Sequence, residues 1–214
     1  AGMIGLMTAD SGRAAKSVAP FGGRVARLGT NPICIAMPSN LEGPFFLDIS
    51  TAAAAGGKLS VAASRGEAVP QGWVIDAEGN PSTSALAVKQ GGALLPLGGS
   101  EGHKGYGLAA MIEIFSGILT GLGFGVEPSG RHNDGVFMAV FDASAFRPLE
   151  DFKAEVTEFA QYLRSTPTAT GIEQVYYPGE VEHLRTKRNL TNGIDLPEST
   201  YNELVKLAEE LNVE

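Results

Sequence analysis

The chain has 214 residues, 43% hydrophobic and 19% charged, with a formal net charge of −8. This is the make-up of a soluble globular protein of one or two domains, long enough to bury a core without metal or disulfide staples. A single cysteine, Cys34, excludes an internal disulfide framework and a thiolate-rich zinc site, and the 16 scattered Lys and Arg form no basic stripe for nucleic acid. No apolar run approaches the roughly 20 residues that span a bilayer, so a cytoplasmic protein without a membrane partner is expected. The 28 glycines are about twice the usual share.

In chain order, short apolar runs at residues 3–7, 33–37 and 45–49 predict strands, each bounded by Gly, Pro, Asp or Asn. An alanine-rich stretch at 52–64 reads as a helix weakened by Gly56-Gly57. Leu108, Met111, Ile112, Phe115, Ile118 and Leu119 recur at helical spacing, and a glycine-rich then polar loop follows at 121–134. Further strands are predicted at 136–141 and 175–177, with helices around Phe152, Val156, Phe159, Ala160 and Leu163, over 180–189, and after Pro197-Glu198. The runs are mostly continuous, which favours strands covered on both faces, as in α/β proteins.

The glycines invite a search for a phosphate loop, and both familiar versions fail. Gly121-Leu122-Gly123-Phe124-Gly125 follows a helix and opens no βαβ unit. In Gly98-Gly99-Ser100-Glu101-Gly102-His103-Lys104-Gly105 a glycine stands where a magnesium-binding hydroxyl belongs. The same stretch holds a literal G-x-S-x-G between an apolar run and a helix, the context of a serine-hydrolase nucleophile, with Asp142 and His183 as the available partners. His103, His132 and His183 are too far apart for a paired metal spacing, so no metal is expected.

Three segments carry charge or dipole suited to an anionic, hydroxylated ligand. Asp48-Ile49-Ser50-Thr51 ends a strand with a carboxylate and two hydroxyls, which equally suit helix capping. His103 and Lys104 sit among glycines where backbone approaches a ligand closely. Gly179-Glu180 opens a helix whose free amides favour an anion, while Glu180 suits ribose hydroxyls or simply the helix dipole.

These segments occur in the order Val18-Ala19-Pro20-Phe21-Gly22-Gly23, Leu28-Gly29-Thr30-Asn31-Pro32, Asp48-Ile49-Ser50-Thr51, Pro70-Gln71-Gly72-Trp73, Leu94-Leu95-Pro96-Leu97-Gly98-Gly99, Gly102-His103-Lys104-Gly105-Tyr106-Gly107 and Pro178-Gly179-Glu180. In that order they resemble the malate/L-lactate dehydrogenase family, the non-Rossmann group that includes ureidoglycolate, sulfolactate and diketogulonate oxidoreductases. The resemblance implies an α/β dinucleotide-binding fold with a large mixed sheet flanked by helices. It also implies NAD or NADP as cofactor, a small 2-hydroxy or 2-keto acid as substrate, and a homodimer. Cofactor contacts are implied at Asp48, Ile49, Ser50, Thr51, His103, Lys104, Gly179 and Glu180, with Thr30-Asn31-Pro32 structural or at the pocket edge. The family's N-terminal histidine motifs have no counterpart here. The expectation is therefore a C-terminal portion of such an enzyme, weakly active or inactive alone, with no catalytic residue assigned. Residues 1–180 would form the cofactor domain, and 181–214 a helical segment packing on the absent part. A serine hydrolase using Ser100 and a non-catalytic binding or assembly module are the alternatives.

Overall fold

The structure, a computed structural model, describes residues 2–10, 15–127 and 134–213. In chain order the elements begin with β1 (Met3–Asp10), β2 (Ile33–Met37), β3 (Phe45–Ile49), α1 (Gly56–Ser64), β4 (Val74–Ile75), β5 (Pro81–Ser82) and β6 (Ala93–Leu94). Then come α2 (His103–Ile112), running into a π-helical turn at Glu113–Ile118, followed by β7 (Gly135–Asp142), α3 (Leu149–Arg164), α4 (Glu180–Asn192) and α5 (Glu198–Leu211). Helices and sheets thus share one chain, as the α/β expectation required. No helix among the described residues is long and apolar enough to cross a membrane.

Four strands form one sheet in the order β3-β2-β1-β7, and a second sheet has the order β5-β4-β6. Every ladder is antiparallel. Register places Asp48 opposite Cys34, Cys34 opposite Met7, and Met7 opposite Met138, so these four side chains form one row across a single face. Thr8, Asp10 and Phe137 fall on the other face, which the π-turn covers. There the Thr8 and Ser116 hydroxyls meet at 2.7 Å, and Phe115 stacks on Phe137 at 4.8 Å.

Among the described residues, the helical cover over β1 and β7 lies on that second face. On the first, Met3, Met7, Val136, Met138 and Val140 stay exposed, Met138 by 63%. The continuous apolar runs had implied cover on both sides. The strands do carry apolar residues on both faces, yet among the described residues a helical layer covers β1 and β7 on one alone.

The main core lies beside this sheet. Val18, Leu28, Leu59, Val74 and Leu94 are buried together, with Trp73 packed at the edge. Each such aliphatic side chain stabilises the fold by about 1.5–3 kcal/mol relative to exposure. Two expectations need correcting. Residues 175–177 form no strand: Tyr177 instead stacks flat on Phe45 at 5.8 Å, and its N–H donates to Glu180 Oε2. The first helix begins at Gly56 and not near Ala52, because Ala53 N–H donates to Leu95 O and Ala52 bridges Pro96. Those tertiary bonds keep the alanines out of the helix despite their helical propensity.

Candidate functional site

β3 is the ruler on which two of the three expected segments are mounted. At its end, Thr51 N–H donates to Thr30 O at 2.9 Å, and Leu97 N–H donates to Thr51 O at 2.9 Å. From Leu97 the chain turns through Gly98 and Gly99 into α2. Gly105 makes this junction tight, since a Cβ there would lie 2.2 Å from Leu97 O. The first turn of α2, with His103 and Lys104, is thereby pressed against Leu97, which is tied to Thr51 just beyond β3. Near its start, Phe46 N–H donates to Pro178 O. Gly179 has φ +94, and a Cβ there would meet Pro44 O at 2.5 Å, so the α4 entry is pressed onto the same strand. Five residues of extended chain, about 17 Å, separate Phe46 from Thr51.

The side chains divide into available and spent groups. Asp48 is exposed on the open sheet face. His103 and Lys104 are exposed at the α2 N-terminus, where Lys104 Nζ pairs with Glu101 Oε2 at 3.3 Å and the His103 ring meets Phe21 edge-on at 5.8 Å. Ile49 faces away from Asp48 and pairs with Ile33. Ser50 Oγ donates to Thr30 O at 3.1 Å and accepts from Ala52 N–H at 3.0 Å, while buried Thr51 Oγ1 donates to Thr30 O or Asn31 O. Neither hydroxyl caps a helix. Glu180 is buried, its Oε1 3.3 Å from Arg164 Nε and its Oε2 accepting from Tyr177 N–H at 3.2 Å.

Beside this region lies an ionic cluster that local spacing did not reveal. Lys16 Nζ donates to Glu113 Oε1 at 3.0 Å and to Asp10 Oδ1 at 3.4 Å. Asn31 donates from Nδ2 to Glu113 Oε2 and to Ala109 O, both at 2.9 Å. Asp10, Asn31 and Glu113 are buried, and Asp10 Oδ2 and Asn31 Oδ1 have no hydrogen-bond partner. Burial, and then the neighbouring Glu113 charge, push the Asp10 carboxyl above its ordinary range despite Lys16. The one available signal was Glu113 itself, an acid inside the apolar run Met111, Ile112, Ile114, Phe115. Within Thr30-Asn31-Pro32, Asn31 ties Glu113 to the α2 backbone, and the Thr30 carbonyl accepts from Ser50 and Thr51.

Burial, and then the Asp48 charge, raise the Cys34 thiol, which favours its protonated form. His132 lies outside the described residues. His183 packs against Gly43 with Nε2 4.0 Å from Glu42 Oε2, and Ser100 sits in a separate 3₁₀ turn at Gly99–Glu101. Among the described residues no hydrogen bond joins Ser100 to a histidine, so the hydrolase arrangement finds no support.

A model of the malate/L-lactate dehydrogenase family matches residues 1–205. The chain belongs to that family. It is 40% identical over 203 residues to an L-lactate dehydrogenase of Cupriavidus necator, covering 92% of this chain and 57% of that protein. It is 39% identical over 218 residues to a malate/(S)-sulfolactate dehydrogenase of Methanothermus fervidus, covering 99% of this chain and 60% of that one. Among solved structures, malate dehydrogenase from Entamoeba histolytica superposes with a TM-score of 0.90 at 31% identity, covering 100% of this chain and 62% of that chain. This member of the malate/L-lactate dehydrogenase family thus spans about six-tenths of the length of the relatives it matches.

Proposed function

We propose that this chain carries the dinucleotide-binding part of an NAD(P)-dependent oxidoreductase that interconverts a 2-hydroxy acid and a 2-keto acid. The observation that carries the reading is the junction of β3 with α2: exposed Lys104 and His103 stand at a helix N-terminus tied through Leu97 to the strand bearing exposed Asp48. Free amides, an ammonium and the helix dipole suit a pyrophosphate, and a carboxylate suits ribose hydroxyls. The fit is partial. Ser50, Thr51 and Glu180 already spend their polar atoms within the protein, so their part is to hold the strand end and the α4 entry in place.

When bound, the dinucleotide supplies or takes hydride at C2 of the acid. The relatives named for lactate, malate, sulfolactate and ureidoglycolate support that substrate class without choosing among its members. Residues 1–180 would be the cofactor unit and 181–214 its helical extension. A homodimer is part of the proposal, with the open sheet face of Met7, Met138 and Val140 as its candidate surface.

The test is an NADH and NADPH fluorescence titration of the chain and of Lys104→Ala. Lys104→Ala should weaken binding about threefold to tenfold, roughly 0.6–1.4 kcal/mol. Unchanged affinity would remove Lys104 from the site, and no binding by the parent chain would overturn the reading.

A further inference from the structure

We propose that a pocket between the 20–28 segment and the far end of α2 binds a medium-chain carboxylic acid, its apolar body inside and its carboxylate on Arg27. The pocket encloses about 390 Å³, within the roughly 300–1,000 Å³ of small-ligand sites. Leu28, Ala110, Ile114, Ile118 and Phe124 are among its apolar walls, and Arg27, Tyr106 and Glu113 bring charged and polar groups to it.

Both sides of the pocket are anchored. The Arg27 and Leu28 N–H groups donate to Val18 O at 2.9 and 3.1 Å, which ties that wall to the main core. Tyr106, Ala110, Ile114 and Ile118 recur every fourth residue along α2 and the π-turn, which puts them on one side of the winding. Tyr106 stands about 200° round the helix from Lys104, so this wall faces away from the ammonium assigned to the dinucleotide.

Phe124 stands at the rim. It belongs to Gly121-Leu122-Gly123-Phe124-Gly125, the glycine run that fails as a phosphate loop. Gly123 and Gly125 have φ 86 and 76, backbone that favours glycine, and Gly123 N–H donates to Gly117 O. The run thus bends back on the π-turn and holds Phe124, 70% exposed, at the pocket. With Ile114 and Ile118 also exposed, the site presents contiguous apolar surface that water solvates poorly and a hydrocarbon would cover.

Charge decides which end the ligand carries. Both Glu113 oxygens are engaged, Oε1 by Lys16 and Oε2 by Asn31. Arg27 is the cation lining the pocket, and among the described residues its guanidinium forms no hydrogen bond or ion pair; the Tyr106 hydroxyl forms no hydrogen bond either. Elsewhere on the surface Arg147 and Lys187 each meet a carboxylate. A guanidinium fork beside apolar walls matches a carboxylate on a hydrocarbon body. Sugars and nucleotides need a partner for each buried hydroxyl, which Arg27 and Tyr106 alone do not supply. The small 2-hydroxy acids of the proposed reaction lack the body to fill these walls.

The experiment is calorimetric titration of the whole chain with decanoate, decan-1-ol, decylammonium and acetate, using the parent, Arg27→Gln and Ala110→Leu, with a thermal melt of each. Decanoate should bind about tenfold or more tightly than decan-1-ol, and decylammonium and acetate more weakly still. Arg27→Gln should bring decanoate to within about twofold of decan-1-ol at an unchanged thermal midpoint. Ala110→Leu, which fills the pocket from its wall, should weaken decanoate and decan-1-ol alike by roughly fivefold or more. The proposal is overturned if decan-1-ol, decylammonium or acetate matches decanoate, if the preference survives Arg27→Gln, or if Ala110→Leu leaves decanoate binding unchanged, as adsorption to the open sheet face would. Prior addition of NADH separates this pocket from the cofactor site. Decanoate affinity should stay the same, and competition between the two would also overturn the proposal.

Discussion

Asn31→Ala should be one of the most damaging single changes outside the apolar core. Asn31 joins the end of β3, the α2 backbone and the buried carboxylate of Glu113. The substitution removes the 2.9 Å bond to Glu113 Oε2, leaving a carboxylate with only 7% of its side chain exposed to rely on Lys16. Hydrogen bonds to charged groups contribute about 1.5–3 kcal/mol, and leaving one unmade in the interior costs at the upper end. The bond to Ala109 O adds little, because that carbonyl keeps its helical partner at Glu113 N–H. Asn31 also has φ 38, which asparagine tolerates and alanine does at a cost of about 1–2 kcal/mol. Together these give about 4–5 kcal/mol of a total near 5–15, or a fall in Tm of roughly 8–20 °C for a chain of this length. Urea unfolding followed by far-UV circular dichroism measures it, with Asn31→Gly as the companion. Glycine loses the same hydrogen bonds but relieves the backbone, so it should be the milder change. A loss below about 1 kcal/mol for Asn31→Ala would refute the account of the buried cluster, and a glycine variant as damaged as the alanine one would refute the backbone part.

Asp10→Asn tests the charge in the same cluster. Because burial raises the folded carboxyl above its ordinary 3.8, the stability it contributes is complete at low pH and is lost as pH rises through the raised value. The parent should therefore lose stability relative to Asp10→Asn as pH climbs from about 4; parallel profiles between pH 4 and 8 would contradict this. Gly105→Ala drives a Cβ to 2.2 Å from Leu97 O. It should cost about 1–3 kcal/mol and weaken NADH binding with it; an unchanged melt would show that α2 is free to move away from β3.

Much of the fold was legible wherever one local signal faced no rival. Residues 33–37 and 45–49 are strands over those spans, and α5 starts after Pro197 as its proline and acid imply. Local signals failed where distant partners decided the outcome. The alanines after Thr51 stay out of the helix because Leu95 and Pro96 pair with Ala53 and Ala52, and 175–177 gives up pairing because Phe45 and Glu180 take its ring and its amide. The site was half legible. Lys104, His103 and Asp48 stand exposed, but residue type alone does not say that a hydroxyl proton is already committed, as it is in Thr51, or that Arg164 has claimed Glu180. The Asp10, Lys16 and Glu113 cluster was illegible for a related reason: Lys16 and Glu113 stand 97 residues apart.

The π-helical turn sets a rule for chain length. Leu119 N–H donates to Ile114 O at 2.8 Å, five residues back, so this turn holds one residue more than ordinary helical winding allows. Deleting a residue there would restore regular winding and swing all that follows by about 100°, parting Ser116 from Thr8 and Phe115 from Phe137. The glycine-rich turn immediately after it is tied to the same face, since Gly123 N–H donates to Gly117 O at 3.0 Å and Leu122 lies against Gly135 of β7. Natural length variation in this stretch is expected to fall beyond Gly125, and a single-residue gap before it would mark a chain that has rebuilt this face of the sheet.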